Sequence, residues 1–67
     1  MIDFIKFGQK VRELRRKAGL TQAELADKIA VGQAYIGYVE NGIKKPSLET
    51  ADRMVKVFGC KIDDLLN

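Results

Sequence analysis

Apolar residues recur along this chain at helical rather than strand spacing. Phe4, Phe7, Val11, Leu14 and Ala18 advance by three or four, which lays one apolar stripe on a first helix over about residues 4–18. Gly19 supplies its stop. Thr21 with Glu24 three residues later is a capping box, so a second helix starts at Gln22 and runs to about Ile29, burying Leu25, Ala26 and Ile29. Val31 and Gly32 read as a turn. A third helix follows from Gln33 to about Asn41, with Ile36 and Val39 inward and Asn41-Gly42 as its end. Ile43 to Pro46 form a loop, and Ser47 caps a fourth helix whose stripe is Leu48, Ala51, Val55 and Phe58. Gly59 ends it, and Ile62, Leu65 and Leu66 suggest a short fifth helix. No strand-like alternation persists, and no linker or low-complexity stretch divides the chain. The expectation is an all-α, compact five-helix domain spanning residues 1–67, with a helix-turn-helix at about 21–41.

The third helix is unusual on its outer face. At 100° per residue, placing Ile36, Val39 and Glu40 inward leaves Ala34, Tyr38 and Asn41 outward, flanked by Gln33 and Gly37. None of these five is charged, although 31% of the chain is. The bland reading is a solvated helix face. The sharper one is a surface that reads base edges, which needs hydrogen-bonding and methyl-contacting groups rather than acids beside phosphates.

Composition narrows the classes. The chain has 67 residues, enough for one small domain that buries only about 60% of its unfolded surface. A single cysteine, Cys60, allows no internal disulfide. With no histidine either, no zinc site of the usual kind can be built, so no metal or cofactor is expected. Cys60 reads as a small buried hydrophobe. A small domain without covalent or metal staples points to a homodimer. Residues 1–45 hold nine Lys/Arg against five Asp/Glu, and residues 46–67 hold three against four. That asymmetry suggests an anionic partner, nucleic acid first, or else a solvated basic face. Asp3 and Lys6 interrupt the apolar start, which is unlike a signal peptide, and no run is long enough to span a membrane. A cytoplasmic protein without a small-molecule ligand is expected. Asp63 and Asp64 are adjacent on a helix and do not face each other, and no His or second Cys is available. No catalytic constellation can be assembled, so no enzyme is expected.

"LTQAELADKIAV", "YIGYVENG" and "PSLETADRMVKVFGCKIDDLL" together closely resemble the Cro/phage-repressor-like helix-turn-helix family, also called the XRE family. The resemblance spans Val11 to Leu66. It rests on Thr21-Gln22 opening the second helix, Glu40-Asn41-Gly42 closing the third, and Pro46-Ser47-Leu48 opening the fourth. It implies a lambda-repressor-like five-helix domain that binds double-stranded operator DNA, usually as a dimer. In such a motif the third helix lies in the major groove. Gln33, Ala34, Gly37 and Tyr38 are then the candidate base readers. Gln33 can pair in bidentate fashion with adenine, and Ala34 can touch a thymine methyl. Gln22, at the start of the second helix, is a candidate phosphate contact, as matching glutamines in the family imply. Tyr35, Asn41, Lys44 and Lys45 are further phosphate candidates, with Tyr35 equally able to pack on the second helix. Lys10 and Arg12 are secondary ones. The family pattern also pairs a first-helix arginine with the acid of the third helix, here Arg15 with Glu40. It places the dimer contact near the fifth helix, with Ile62, Leu65 and Phe58 as candidates for either core or interface.

Three residues depart from the family pattern. Ala30 stands where the turn usually has glycine, and a positive φ there would strain it by about 1 kcal/mol. Gly32 replaces the usual Ser or Thr cap, which costs a few tenths of a kcal/mol. Gly37 inside a helix costs about 1 kcal/mol relative to alanine. The expected function is a sequence-specific transcriptional regulator, a repressor on a palindromic operator. The competing reading is a protein-interaction module of the same fold, an antitoxin or anti-repressor. Steeply salt-dependent DNA binding separates the two.

Overall fold

The computed structural model describes residues 3–66, so the outermost positions of the expected 1–67 domain lie outside the described residues. Five helices follow one another: α1 (Phe4–Lys17), α2 (Gln22–Lys28), α3 (Gln33–Glu40), α4 (Leu48–Phe58) and α5 (Ile62–Leu66). Each boundary has a local cause. Asp3 caps α1 by accepting from the amides of Ile5 and Lys6. Thr21 and Glu24 form the reciprocal capping box of α2. Ser47 caps α4 through the amide of Thr50. Gly59 ends α4 in the left-handed conformation, at φ 71°.

The α2–α3 turn is where sequence and backbone conflict. Ala30 has φ 59°, the single positive value outside glycine among the described residues. Its Cβ crowds the backbone at that angle, at a cost of about 1 kcal/mol. Gly32 then caps α3 without any side-chain hydrogen bond.

The core is one cluster built from every helix. Phe7 and Val11 of α1 meet Leu25 and Ala26 of α2, Ile29 at its end, Ile36 and Val39 of α3, Ala51, Met54 and Val55 of α4, and Leu65 of α5. Arg53 of α4 reaches the carbonyl of Ile29 at 3.4 Å, tying α4 to the end of α2.

Two residues of the apolar stripes and one interface candidate lie elsewhere than expected. Leu48 was expected on the buried stripe of α4 but is 76% exposed, because it is the first residue of that helix and lies beyond the core's edge. Ala18, the last member of the α1 stripe, is the cap that follows Lys17 and is exposed. Leu65 was a candidate for a dimer surface, yet it is 2% exposed and sits in the core. The five-residue α5 turns Leu65 inward and leaves Leu66 outward, so only half of its apolar pair is available to a partner.

Candidate nucleic-acid interface

α3 is a two-faced helix. Ile36 and Val39 are fully buried, and Glu40 is 2% exposed. Gln33, Ala34 and Tyr38 are exposed and Gly37 is half-buried beside them. Tyr35 is half-buried and packs against the core, so its ring takes the packing role. The solvent face of the helix is therefore neutral, because the one acid of α3 points inward.

Glu40 is held by three side chains from two other helices. Arg15 donates from Nε to Glu40 Oε2 at 2.6 Å and from a terminal nitrogen to Oε1 at 3.2 Å. Its remaining nitrogen donates to the Leu20 carbonyl at 2.7 Å. Arg12 donates from Nε to Glu40 Oε1 at 3.1 Å, and Gln22 donates from Nε2 to the same oxygen at 3.1 Å. Among the described residues no buried side-chain nitrogen or oxygen lacks a hydrogen-bond partner. Burial pushes the Glu40 carboxyl upward, but hydrogen bonds from Arg15, Gln22 and Arg12, with the Arg15 charge, outweigh it and hold the group below its ordinary value. A carboxylate at a helix C-terminus is opposed by the helix dipole, and the paired guanidiniums offset that too.

This cluster positions α3. Arg15 and Arg12 fasten α3 to α1, and Gln22 fastens it to α2. Gly8 completes the seam. A Cβ built there would lie 2.3 Å from the Val39 carbonyl oxygen and 2.6 Å from that of Glu40, so only glycine lets α1 cross α3 this closely.

Beyond α3 the chain folds back tightly. The amides of Ile43 and Lys44 both donate to the Tyr38 carbonyl, at 2.8 Å and 3.2 Å, and Gly42 adopts φ 75°. Lys44 thereby lies over the Tyr38 ring, 5.8 Å from its centroid, on the side of the neutral face. Lys45 instead lies over Phe4 of α1, at 5.1 Å. The two lysines, grouped together by sequence, thus stand on different aromatic supports.

Gln33, Ala34, Gly37 and Tyr38 therefore share one surface with Lys44. Gln22 borders it: a Cβ on Gly37 would lie 3.8 Å from Gln22 Oε1. The Gln22 side chain is not simply an outward phosphate ligand, since one N–H is engaged inward on Glu40. Asn41 is exposed, with Oδ1 accepting from Arg12 at 3.0 Å. Lys10 pairs loosely with Glu13 on α1, at 3.9 Å. Sequence reasoning did not find the inward roles of Arg12, Gln22 and Gly8. The signal for Gly8 was present, a glycine inside a helix beside Phe7 and in line with Val11 and Arg15. The convergence of Arg12 and Gln22 on one oxygen required the crossing of three helices.

Two short helices joined by a tight turn, the second with a neutral exposed face and basic neighbours, define a helix-turn-helix protein. The helix-turn-helix family model HTH_3 matches residues 11–65, and the chain belongs to this family. An uncharacterized HTH-type transcriptional regulator of Archaeoglobus fulgidus is 43% identical over 56 residues, covering 84% of this chain and 80% of the relative. The cryptic phage CTXphi transcriptional repressor RstR of Vibrio cholerae is 39% identical over 62 residues, covering 91% of this chain and 55% of that protein. Among solved structures, the restriction-modification controller protein C.AhdI from Aeromonas hydrophila superposes with a TM-score of 0.89 at 35% identity, covering 94% of this chain and 96% of that one. SinR, the master regulator for biofilm formation solved in complex with DNA, gives 0.85 at 26% identity, covering 91% and 98%.

Proposed function

We propose that this protein is a homodimeric, sequence-specific transcriptional regulator that represses by occupying a palindromic operator. The observation that carries the reading is the division of α3 into two faces. Its only acid is buried and matched by two arginines, while Gln33, Ala34, Gly37 and Tyr38 face outward without charge. Such a helix can enter the major groove with no carboxylate set against phosphate. Gln33 and Ala34, at the N-terminal end of α3, meet base edges, and Lys44 meets the backbone. The named regulators among its relatives, and SinR on DNA, support the same reading.

The dimer face in this reading is the α4–α5 end. Leu48 and Leu66 are exposed, and with Phe4, Phe7, Pro46, Ala51 and Ile62 they line an apolar groove. Ile62 is half-buried on its rim, and Phe58 packs against the core nearby. A two-fold axis through this face would set two copies of α3 about 34 Å apart, one turn of DNA. The protein acts where DNA is, in the cytoplasm, and performs no catalytic step. Among the described residues no helix is long and apolar enough to cross a membrane.

Selection of bound sequences from a random DNA library tests the proposal. The expected result is a palindromic consensus bound with steep salt dependence. Recovery of no consensus, with binding absent at low salt, would favour the protein-interaction module instead.

A further inference from the structure

The cluster around Glu40 also decides which way two carboxamides face. An asparagine or glutamine side chain can turn either its oxygen or its nitrogen outward, and the two ends have opposite chemistry. A guanidinium only donates, so the Asn41 atom 3.0 Å from Arg12 must be the carbonyl oxygen. A buried, ionised Glu40 only accepts, so the Gln22 atom 3.1 Å from Oε1 must be the nitrogen. Arg12 spans both groups, with Nε on Glu40 and a terminal nitrogen on Asn41. Asn41 is thereby left with its two N–H groups turned outward at the C-terminal end of α3, next to the loop that carries Lys44.

We propose that Arg12 is a positioning residue for DNA contact: it holds the Asn41 oxygen inward, so that Asn41 meets the DNA backbone as a pure donor. Phosphate oxygens are acceptors only, so the orientation of the carboxamide decides whether Asn41 attracts the backbone or opposes it. The inference rests on the DNA-binding reading above. The plain alternative is that Arg12, whose side chain is 34% exposed, touches phosphate itself.

Two measurements on the intact chain separate these. The first needs no DNA. In the free protein the Asn41 side-chain amide should be ordered in heteronuclear relaxation, and Arg12→Ala should release it toward the values of a freely rotating side chain. Arg12→Lys should release it in part, because lysine keeps the charge but lacks the rigid fork whose two nitrogens reach Glu40 and Asn41 separately. An Asn41 amide that is equally ordered in all three proteins overturns the proposal, whether or not the protein binds DNA. The second is a double-mutant cycle on a pool of random-sequence duplexes. Arg12→Ala should weaken binding on the order of tenfold. It should have little further effect in an Asn41→Ala background, and the slope of log affinity against log salt should stay unchanged. A loss that persists without Asn41 overturns the positioning role: a slope reduced by about 0.9 would then make Arg12 a phosphate ligand, and an unchanged slope would assign the loss to its hold on Glu40 and α3. A wild type that binds no duplex defeats the DNA reading and the proposed role with it, while the first measurement still reports whether Arg12 orders Asn41.

Discussion

The α1–α3 seam and the α4–α5 end solve opposite problems. At the seam every demand is met within the chain. Glu40 has three donor side chains, Arg15 is bonded at each of its nitrogens, and the backbones touch at Gly8. At the other end apolar surface is left over, with Leu48 76% and Leu66 44% exposed beside a groove. A saturated polar cluster fixes geometry. Surplus apolar surface contributes little to the monomer and gains free energy only when covered. One region fixes α3 on its neighbours; in the proposed function, the other would set the spacing between two copies of it.

The sharpest break in the seam is removal of Glu40. Glu40→Ala leaves two guanidiniums without their carboxylate in a part-buried site and should cost about 3–5 kcal/mol in urea unfolding. Loss of either arginine should be milder, because the other remains. A double-mutant cycle of Arg15→Ala with Glu40→Ala should show strong coupling in stability. Additive effects would mean that the cluster is not one unit. Gly8→Ala should cost about 3 kcal/mol, since the new Cβ meets backbone carbonyls rather than a movable side chain. An unchanged urea midpoint would contradict the close crossing.

The cluster also has a pH signature. The folded carboxyl of Glu40 lies below its ordinary value of 4.5, so its contribution is present above that value and disappears as pH falls through the lower folded one. Wild type should therefore lose its advantage over Glu40→Gln on acidification below about pH 4.5. An advantage that persists undiminished into strong acid would exclude ionic matching as its source.

The other end breaks differently. Ile62→Lys and Leu48→Lys should weaken self-association in sedimentation while helicity stays near wild type, because both lie on the exposed groove. Leu65→Ala should cost about 2–5 kcal/mol of stability, as a truncation in the core. If Ile62→Lys unfolded the chain while Leu65→Ala left it intact, the division between core and groove at α5 would be reversed. A mutant that stayed dimeric at Leu48 and Ile62 alike would remove this face from the interface.

The smallest effect belongs to the turn that joins α2 and α3. Ala30→Gly relieves the positive φ and should add roughly 0.5–1 kcal/mol, seen as a rise of a few degrees in thermal midpoint. A fall in midpoint would show that the loss of unfolded-state restriction outweighs the strain.

The sequence by itself determined the helices and their ends. Thr21 with Glu24, Ser47, Gly19 and Gly59 act within a few residues of themselves, so their caps and stops follow from local geometry. The same holds for the two faces of α3, since Ile36, Val39 and Glu40 are placed inward by helical pitch alone. The strained Ala30 was legible too, from the residue type that such a turn prefers. Tertiary structure decided whatever depends on where one helix stops covering another. Leu48 and Leu65 carry similar side chains at helical positions, yet one ends exposed and the other buried, because the core's edge passes between them. Arg12 and Gln22 read as outward phosphate candidates until α1, α2 and α3 cross at Glu40. Burial of one carboxylate then recruits every donor within reach, because an unmatched charge out of water would cost far more than ordering the long side chains that match it.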